Sequence, residues 1–345
     1  MTKPKNIDVL KQLENLFDYL FSIGQIVAVV SRSQENAEKF AATFDIPKSY
    51  SSYEKFAADA DIKIVYIGSA YTEHVRLSIQ MLNAGKHVLC EKPLADTLKD
   101  VKLVHNLAWE KQLFFMEVCR INKNVALPIY AACVRNEKIT TKTTQDRIKE
   151  EIISKNIGEP QMVSARFFLN FNYCERIKTQ IRAGMLLDAG IYTVQFACLV
   201  YGEYPVSVKA VGEVVQSGHD IDGCIILSYS KGQKACLMYS SNVKSNTNCA
   251  SIHSTKGSIE LKDHFWCPEE VILSTGKETN KIPVGPVPFN YPNSGGLCYE
   301  AEEVRKCINS GKTEYAHYSH KDSEMVHKIM ENVAKQIGRK LPYEK

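Results

Sequence analysis

Residues 62–95 hold the chain to one kind of fold. IKIVYIGS (62–69) is an apolar, β-branched run of strand length, residues 74–84 read as a helix, and HVLC (87–90) is a second short strand. A helix between two strands joins them as parallel neighbours. In open parallel sheets the carboxyl ends of the strands face the ligand crevice. The second strand delivers Glu91, Lys92 and Pro93 to that end. Pro93 cannot continue the strand, so Lys92 is expected to point into the crevice. Taken alone, such a lysine is an ordinary solvated strand-end residue.

The same alternation runs on either side. QIVAVV (25–30) is a strand, residues 34–44 a helix, and DIPKSYSSYEKFAADA (45–60) a short strand or turn and another helix. Residues 99–112 read as a helix and LFFMEV (113–118) as a strand that closes a doubly wound, nucleotide-binding sheet. A dinucleotide-binding sheet opens with a strand and a glycine-rich turn. Here only about six residues precede an amphipathic helix over 7–22, carried by Ile7, Leu10, Leu13, Leu16, Phe17, Leu20 and Phe21, and they contain no glycine. The first strand and the glycine turn are therefore expected to be missing. That predicts either a gap beside IVAVV (26–30) or that strand closing directly onto its neighbour, a first domain less stable than the second, and NADPH binding that is weak or absent.

The chain is long enough, at 345 residues, for two domains with cores of their own, expected at 1–118 and 119–345. Residues 134–156 are charged and threonine-rich and read as a polar insertion. QMVSARFFLNF (161–171) alternates like a strand, and residues 185–201 form a buried helix. VSVKAVGEVV (206–215), GCIILSYS (223–230), KACLMYSS (234–241) and SIHSTKGSIEL (251–261) have period-two patterning. They predict an open, mostly antiparallel sheet with one face buried. Helices over 299–310 and 321–338 close the chain. The fold class is thus α/β: a Rossmann-like parallel sheet, then an α/β domain on an antiparallel sheet.

Net charge is only +4, with no basic stripe interleaved with aromatics, so a nucleic-acid partner is not expected. No run reaches transmembrane length and the first residues lack a signal-peptide core, so neither a membrane nor secretion is expected. Eleven cysteines without a C-x-x-C pair read as reduced thiols in the cytoplasm. His317 and His320 lie in a polar stretch without an acidic or cysteine partner, so no metal is expected.

AGKHVLCEKPLA (84–95), IVAVVSRS (26–33), LLDAGIYTVQF (186–196), WCPEEVIL (266–273) and GGLCYEAEEVRKCINSGK (295–312) together resemble the Gfo/Idh/MocA oxidoreductases. The resemblance covers roughly residues 24–118 and 157–345. It fails over the first six residues and across 119–156, where Arg120 is followed by INKNVALPIY in place of an aromatic-rich stretch. Met116-Glu117 matches the family's crossover between domains.

The resemblance implies that Lys92 sits between nicotinamide and substrate and that Tyr192 occupies the acid/base position. Read without it, Tyr192 is a core tyrosine with a satisfied hydroxyl. An ordinary phenol is a poor base at neutral pH, and a nearby ammonium favours the phenolate. Lys92 is expected to supply that charge, with Asp188, one helical turn before Tyr192, orienting Lys92 or substrate hydroxyls. At the end of the second strand an acid serves NAD and an arginine a 2′-phosphate. Arg32, with Ser31 beside it, therefore points to NADP. Ser69 and His74 match the loop lining the cofactor cleft, though Tyr71 stands where relatives often carry a histidine, and His74 is equally readable as a solvent-bonded helix start. Glu91, Lys92 and Pro93 complete the expected cofactor contacts.

The implied activity is an NADP-dependent dehydrogenase acting on a trans-dihydrodiol or a pentose such as D-xylose, as a homodimer formed through the open sheet face. The competing reading is a catalytically silent or incomplete relative that serves as a binding protein.

Overall fold

The computed structural model describes residues 26–118, 148, 150–152, 154–170, 184–216, 218–243, 248–279, 282 and 297–340. The helix expected over 7–22 lies outside the described residues, as does most of the insertion expected over 134–156.

The first part alternates strand and helix: β1 (Ala28–Val30), α1 (Gln34–Thr43), β2 (Lys48–Tyr50), α2 (Tyr53–Ala58), β3 (Ile64–Ile67), α3 (His74–Asn83), β4 (His87–Cys90), α4 (Leu98–Glu110) and β5 (Phe115–Glu117). Side chains of Ser33, Ser52 and Thr97 cap α1, α2 and α4 by accepting from backbone N–H groups in the first turn. All the strand pairings are parallel. They form two ladders, β1–β2 and β3–β4–β5, with no pairing between them among the described residues. Val65, Ile67, Val88, Cys90 and Phe115 from the strands meet Leu77, Met81, Leu82, Val101 and Val104 from α3 and α4 in one core. β4 and β5, buried at nearly every residue, have the near-continuous apolar character that burial on both faces requires.

The second part is an eight-stranded sheet. Its strands are β6 (Pro160–Phe168), β7 (Ser207–Val214), β8 (Asp220–Ser228), β9 (Lys234–Ser240), β10 (Ala250–Ser254), β11 (Ser258–Leu261), β12 (Glu270–Leu273) and β13 (Gly276–Thr279). Spatial order is β13-β12-β11-β10-β6-β9-β8-β7, antiparallel except for the parallel pair β6–β9. The stretch 251–261 is a hairpin, β10 and β11, turning through Thr255–Lys256–Gly257. Gly223 is required where β8 crosses Tyr239, because a Cβ there would lie 2.4 Å from the tyrosine oxygen.

One face of this sheet carries Val163, Ala165, Phe167, Ile225, Leu227, Ala235 and Leu237, all buried. It packs on α5 (Ile191–Tyr201) and on α7 (His320–Gln336), which presents Val326, Ile329, Met330 and Val333. Gly202, in the left-handed region, ends α5. Helix α6 (Leu297–Asn309) packs Val304 and Cys307 against Phe114 and Met116. Among the described residues no helix is long and apolar enough to cross a membrane.

The buried helix expected over 185–201 departs from plan at its start, where Leu186–Gly190 forms a π turn before α5 begins. The Asp220 carboxylate at the head of β8 caps this turn by taking the Leu186 N–H. Such wide turns recur at functional sites.

Candidate active site

The carboxyl ends of the parallel strands gather most of the residues expected at the cofactor cleft. Ser69 follows β3 and Glu91-Lys92-Pro93 follows β4. The Tyr66 hydroxyl donates to the Glu91 carboxylate, while the Glu91 N–H bonds to Ile67 O at 2.8 Å. His74 starts α3, yet it is only 1% exposed, so the solvent-bonded alternative does not hold. Its Nδ1 lies 2.8 Å from Pro93 O and its Nε2 3.0 Å from Ser69 O. The ring thus pins the two loops to each other. Burial pushes its pKa down, and the two carbonyl contacts pull it up by less.

Lys92 reaches across to the second part of the chain. Its Nζ donates to the Asp188 backbone oxygen at 2.8 Å and to Asp188 Oδ1 at 3.2 Å. Both side chains are nearly out of solvent, 11% exposed for Lys92 and 13% for Asp188. The same ammonium lies 5.0 Å from the centroid of the Tyr192 ring. Tyr192 is buried and stacks on Phe167 at 5.0 Å, and Phe167 stacks in turn on Trp266 at 4.2 Å. The structure therefore brings Lys92, Asp188 and Tyr192 together beside an aromatic wall, from positions nearly a hundred residues apart in sequence. Asp188 sits in the π turn, and its carbonyl takes the lysine.

Arg32 lies apart from this group, exposed at the end of β1. Ser31 is tied to β2 by its N–H, which bonds Tyr50 O at 3.1 Å, and its hydroxyl accepts from Ser33 N at 3.5 Å. The Arg32 charge acts on Tyr53, working to lower a phenol that burial raises. An open cation at a strand end, flanked by hydroxyls, fits a phosphate-bearing dinucleotide.

Several residues at the site were not legible from spacing. Glu117, read only as a crossover marker, is completely buried at the end of β5. Its Oε1 accepts from Leu94 N at 2.8 Å, and its Oε2 accepts from Ser323 Oγ at 2.6 Å. His327 Nε2 lies 2.9 and 3.1 Å from the two oxygens. Burial works against the Glu117 charge, but His327, Ser323 and the Leu94 N–H overcome it and hold its pKa at about 2. Arg339, just beyond α7, bonds Asp96 at 3.0 Å and faces Asp220 Oδ1 at 3.6 Å. Burial raises the Asp220 carboxyl to about 6, against the pull of Arg339. The available signals were a charged residue closing an apolar strand and polar residues on the apolar face of the last helix. Their partners lie some two hundred residues away in sequence.

His320, considered above for a metal, instead stacks on His105 at 4.3 Å, and its Nε2 meets Phe115 O at 3.0 Å.

Comparison with known proteins gives the family. Residues 5–118 match the model of the Gfo/Idh/MocA oxidoreductase family, NAD-binding Rossmann fold, and residues 146–260 match the family's C-terminal domain. A Xenopus laevis protein named trans-1,2-dihydrobenzene-1,2-diol dehydrogenase is 36% identical over 321 residues, 92% of this chain and 91% of the relative. The Homo sapiens protein of that name is 32% identical over 325 residues, 93% and 91% of the two chains. Among solved structures, a levoglucosan dehydrogenase in complex with NADH and levoglucosan superposes with a TM-score of 0.76. It is 17% identical and covers 97% of this chain and 95% of its own. KijD10, a 3-ketoreductase from Actinomadura kijaniata in complex with NADP, gives 0.72 at 19% identity, covering 96% and 95%. A Rossmann-like parallel sheet, a second sheet whose helix answers the strand-end lysine, and relatives aligned over nine-tenths of the chain agree: this chain belongs to the Gfo/Idh/MocA family of oxidoreductases.

Proposed function

We propose that the protein is an NADP-dependent dehydrogenase that oxidises a secondary alcohol of a trans-dihydrodiol or of a pentose such as D-xylose. One observation carries the reading: the Lys92 ammonium, at the carboxyl end of a parallel strand, is held by Asp188 beside the Tyr192 ring. The relatives' printed names supply the diol, and sugar substrates of similar chemistry present the same vicinal hydroxyls.

The nicotinamide, when bound, supplies the acceptor for the hydride that leaves the substrate carbon. The chain's own residues handle the proton. Asp188 fixes the lysine through both its carbonyl and its carboxylate, so the ammonium has one direction in which to act. Tyr192, whose ring lies 5.0 Å from that ammonium, takes the hydroxyl proton as the carbon is oxidised. The buried stack of Tyr192, Phe167 and Trp266 restrains the phenol ring and keeps water from that side. Arg32 would hold the 2′-phosphate that distinguishes NADP from NAD, with Ser31, Ser69 and the backbone of Glu91, Lys92 and Pro93 along the cleft. The open outer face of the eight-stranded sheet would pair with a second copy.

The reading as a silent binding protein is not favoured, since Lys92, Asp188 and Tyr192 are all present and brought together. The test is to mix the purified chain with NADP and either trans-1,2-dihydrobenzene-1,2-diol or D-xylose and to follow reduced nicotinamide by absorbance. Turnover with one of them supports the reading and ranks the substrates. Tight NADPH binding without turnover of either would replace the dehydrogenase with the binding protein.

A further inference from the structure

The peptide unit that follows Lys92-Pro93 is gripped at both of its polar atoms. Its oxygen, Pro93 O, meets His74 Nδ1 at 2.8 Å, and its nitrogen, Leu94 N, donates to Glu117 Oε1 at 2.8 Å. Both gripping side chains are buried, His74 at 1% and Glu117 at 2% exposed. A peptide plane fixed at N–H and C=O leaves the preceding residues little freedom to swing. Glu117 is in turn held by Ser323 and His327 on α7, whose apolar face belongs to the core under the eight-stranded sheet. The carboxylate therefore stands between the loop that carries Lys92 and the helix that packs beneath Asp188 and Tyr192. A buried carboxylate has to be answered by donors, and this one has a backbone N–H, a hydroxyl and an imidazole.

We propose that Glu117 is a positioning residue for Lys92: with His74 it clamps the Pro93–Leu94 peptide, and through Ser323 and His327 it keys the lysine loop to the helix behind Asp188 and Tyr192. The significance of Lys92 rests on the dehydrogenase reading, but the clamp is testable without turnover.

The measurement is the rate of acetylation of each lysine by acetic anhydride, read by mass spectrometry on the full chain. Lys86 is the internal control: it is buried in the same parallel part, its Nζ donating to Asp59 O and Ile62 O, both at 2.7 Å, far from the clamp. Glu117→Ala removes the acceptor for Leu94. Lys92 labelling is expected to rise at least about tenfold, as local opening would allow, while Lys86 stays protected. Glu117→Gln keeps an acceptor for Leu94 and is expected to hold Lys92 within about twofold of wild type, as rescue by a geometric mimic requires. If Glu117→Ala exposes Lys86 as well, the fold has been lost and Glu117→Asp takes its place. That variant keeps the charge beside His327 but withdraws the oxygen from Leu94, and the same rise at Lys92 is expected. Unchanged Lys92 labelling in a folded Ala or Asp variant overturns the proposal, whether or not the wild-type chain turns over substrate.

Discussion

An ammonium almost out of solvent needs acceptors for its protons, and Lys92 finds two of them on Asp188, one main-chain and one side-chain. The same ammonium lies 5.0 Å from the centroid of the Tyr192 ring. Lys92→Met removes the charge, and Tyr192→Phe removes only the hydroxyl and leaves the stack with Phe167 intact. Each is expected to lower kcat by about 10²–10⁴, the range of acid–base groups, with little change in the thermal transition. Steady-state kinetics with the wild-type substrate checks this, and full activity in both variants would remove the pair from the mechanism. Arg32 makes a separate demand. Arg32→Ala is expected to weaken NADPH far more than NADH, because only NADPH offers a phosphate for a charge-assisted contact. Fluorescence titration with the two cofactors distinguishes this from equal losses, which would make Arg32 a surface residue. Lys92 was legible because its neighbours form a distinctive string on a strand end. Glu117 was not, because its meaning lies in Ser323 and His327, which no local spacing connects to it.

At the scale of elements, α4, β5 and the start of α7 meet at a pair of stacked imidazoles. His105 lies against His320 with ring planes 8° apart, and its Nδ1 is 3.3 Å from Glu324. Burial, with His320 behind it, lowers the His105 pKa from an ordinary 6.5 to about 3, despite the opposing charge of Glu117. A histidine with a depressed folded pKa lends stability above its unfolded value and loses it as pH falls toward the folded one. The window here is therefore from pH 6.5 down to about 3. Inside it the unfolded chain binds a proton that the folded chain refuses, worth about 1.4 kcal/mol per pH unit. His105→Phe keeps an aromatic ring against His320 without that proton site. Between pH 7 and pH 5 the wild type is expected to lose about 2 kcal/mol more than the variant, measured by urea unfolding. Parallel curves for the two would show that His105 does not govern the acid response. The central strands of the parallel part were readable because burial on both faces makes them continuous apolar runs, as in HVLC. The π turn at Leu186–Gly190 was not, because the apolar periodicity of residues 185–201 is that of an ordinary helix and its cap, Asp220, lies across the fold.

Among the described residues, no helix packs over the outer face of the eight-stranded sheet. Helices α5 and α7 pack the inner face of the eight-stranded sheet. On the outer face Val211 is 71%, Ile226 48% and Met162 40% exposed. The register makes these neighbours: Val211 lies opposite Cys224 and Cys224 opposite Met238, while Ile226 lies opposite Cys236. The exposed thiols of Cys224 and Cys236 thus extend the same apolar patch across β7, β8 and β9. Lys209 opposite Ile226, Lys234 opposite Met162 and Arg166 opposite Met238 put charges among these apolar side chains, and a mixed sheet face of this kind suits an identical face related by a two-fold axis. The alternating pattern of VSVKAVGEVV, GCIILSYS and KACLMYSS made the sheet legible from sequence, although pattern alone does not say which face the later helices take. The wild-type chain is expected to run as a homodimer at micromolar concentration by light scattering. Ile226→Glu together with Val211→Lys places charges on two neighbouring strands of the patch, and each outward side chain leaves the core beneath untouched. The double variant is expected to be a folded monomer, with unchanged circular dichroism. A wild-type monomer would sink the interface, and a double variant that remains dimeric would move it to another surface.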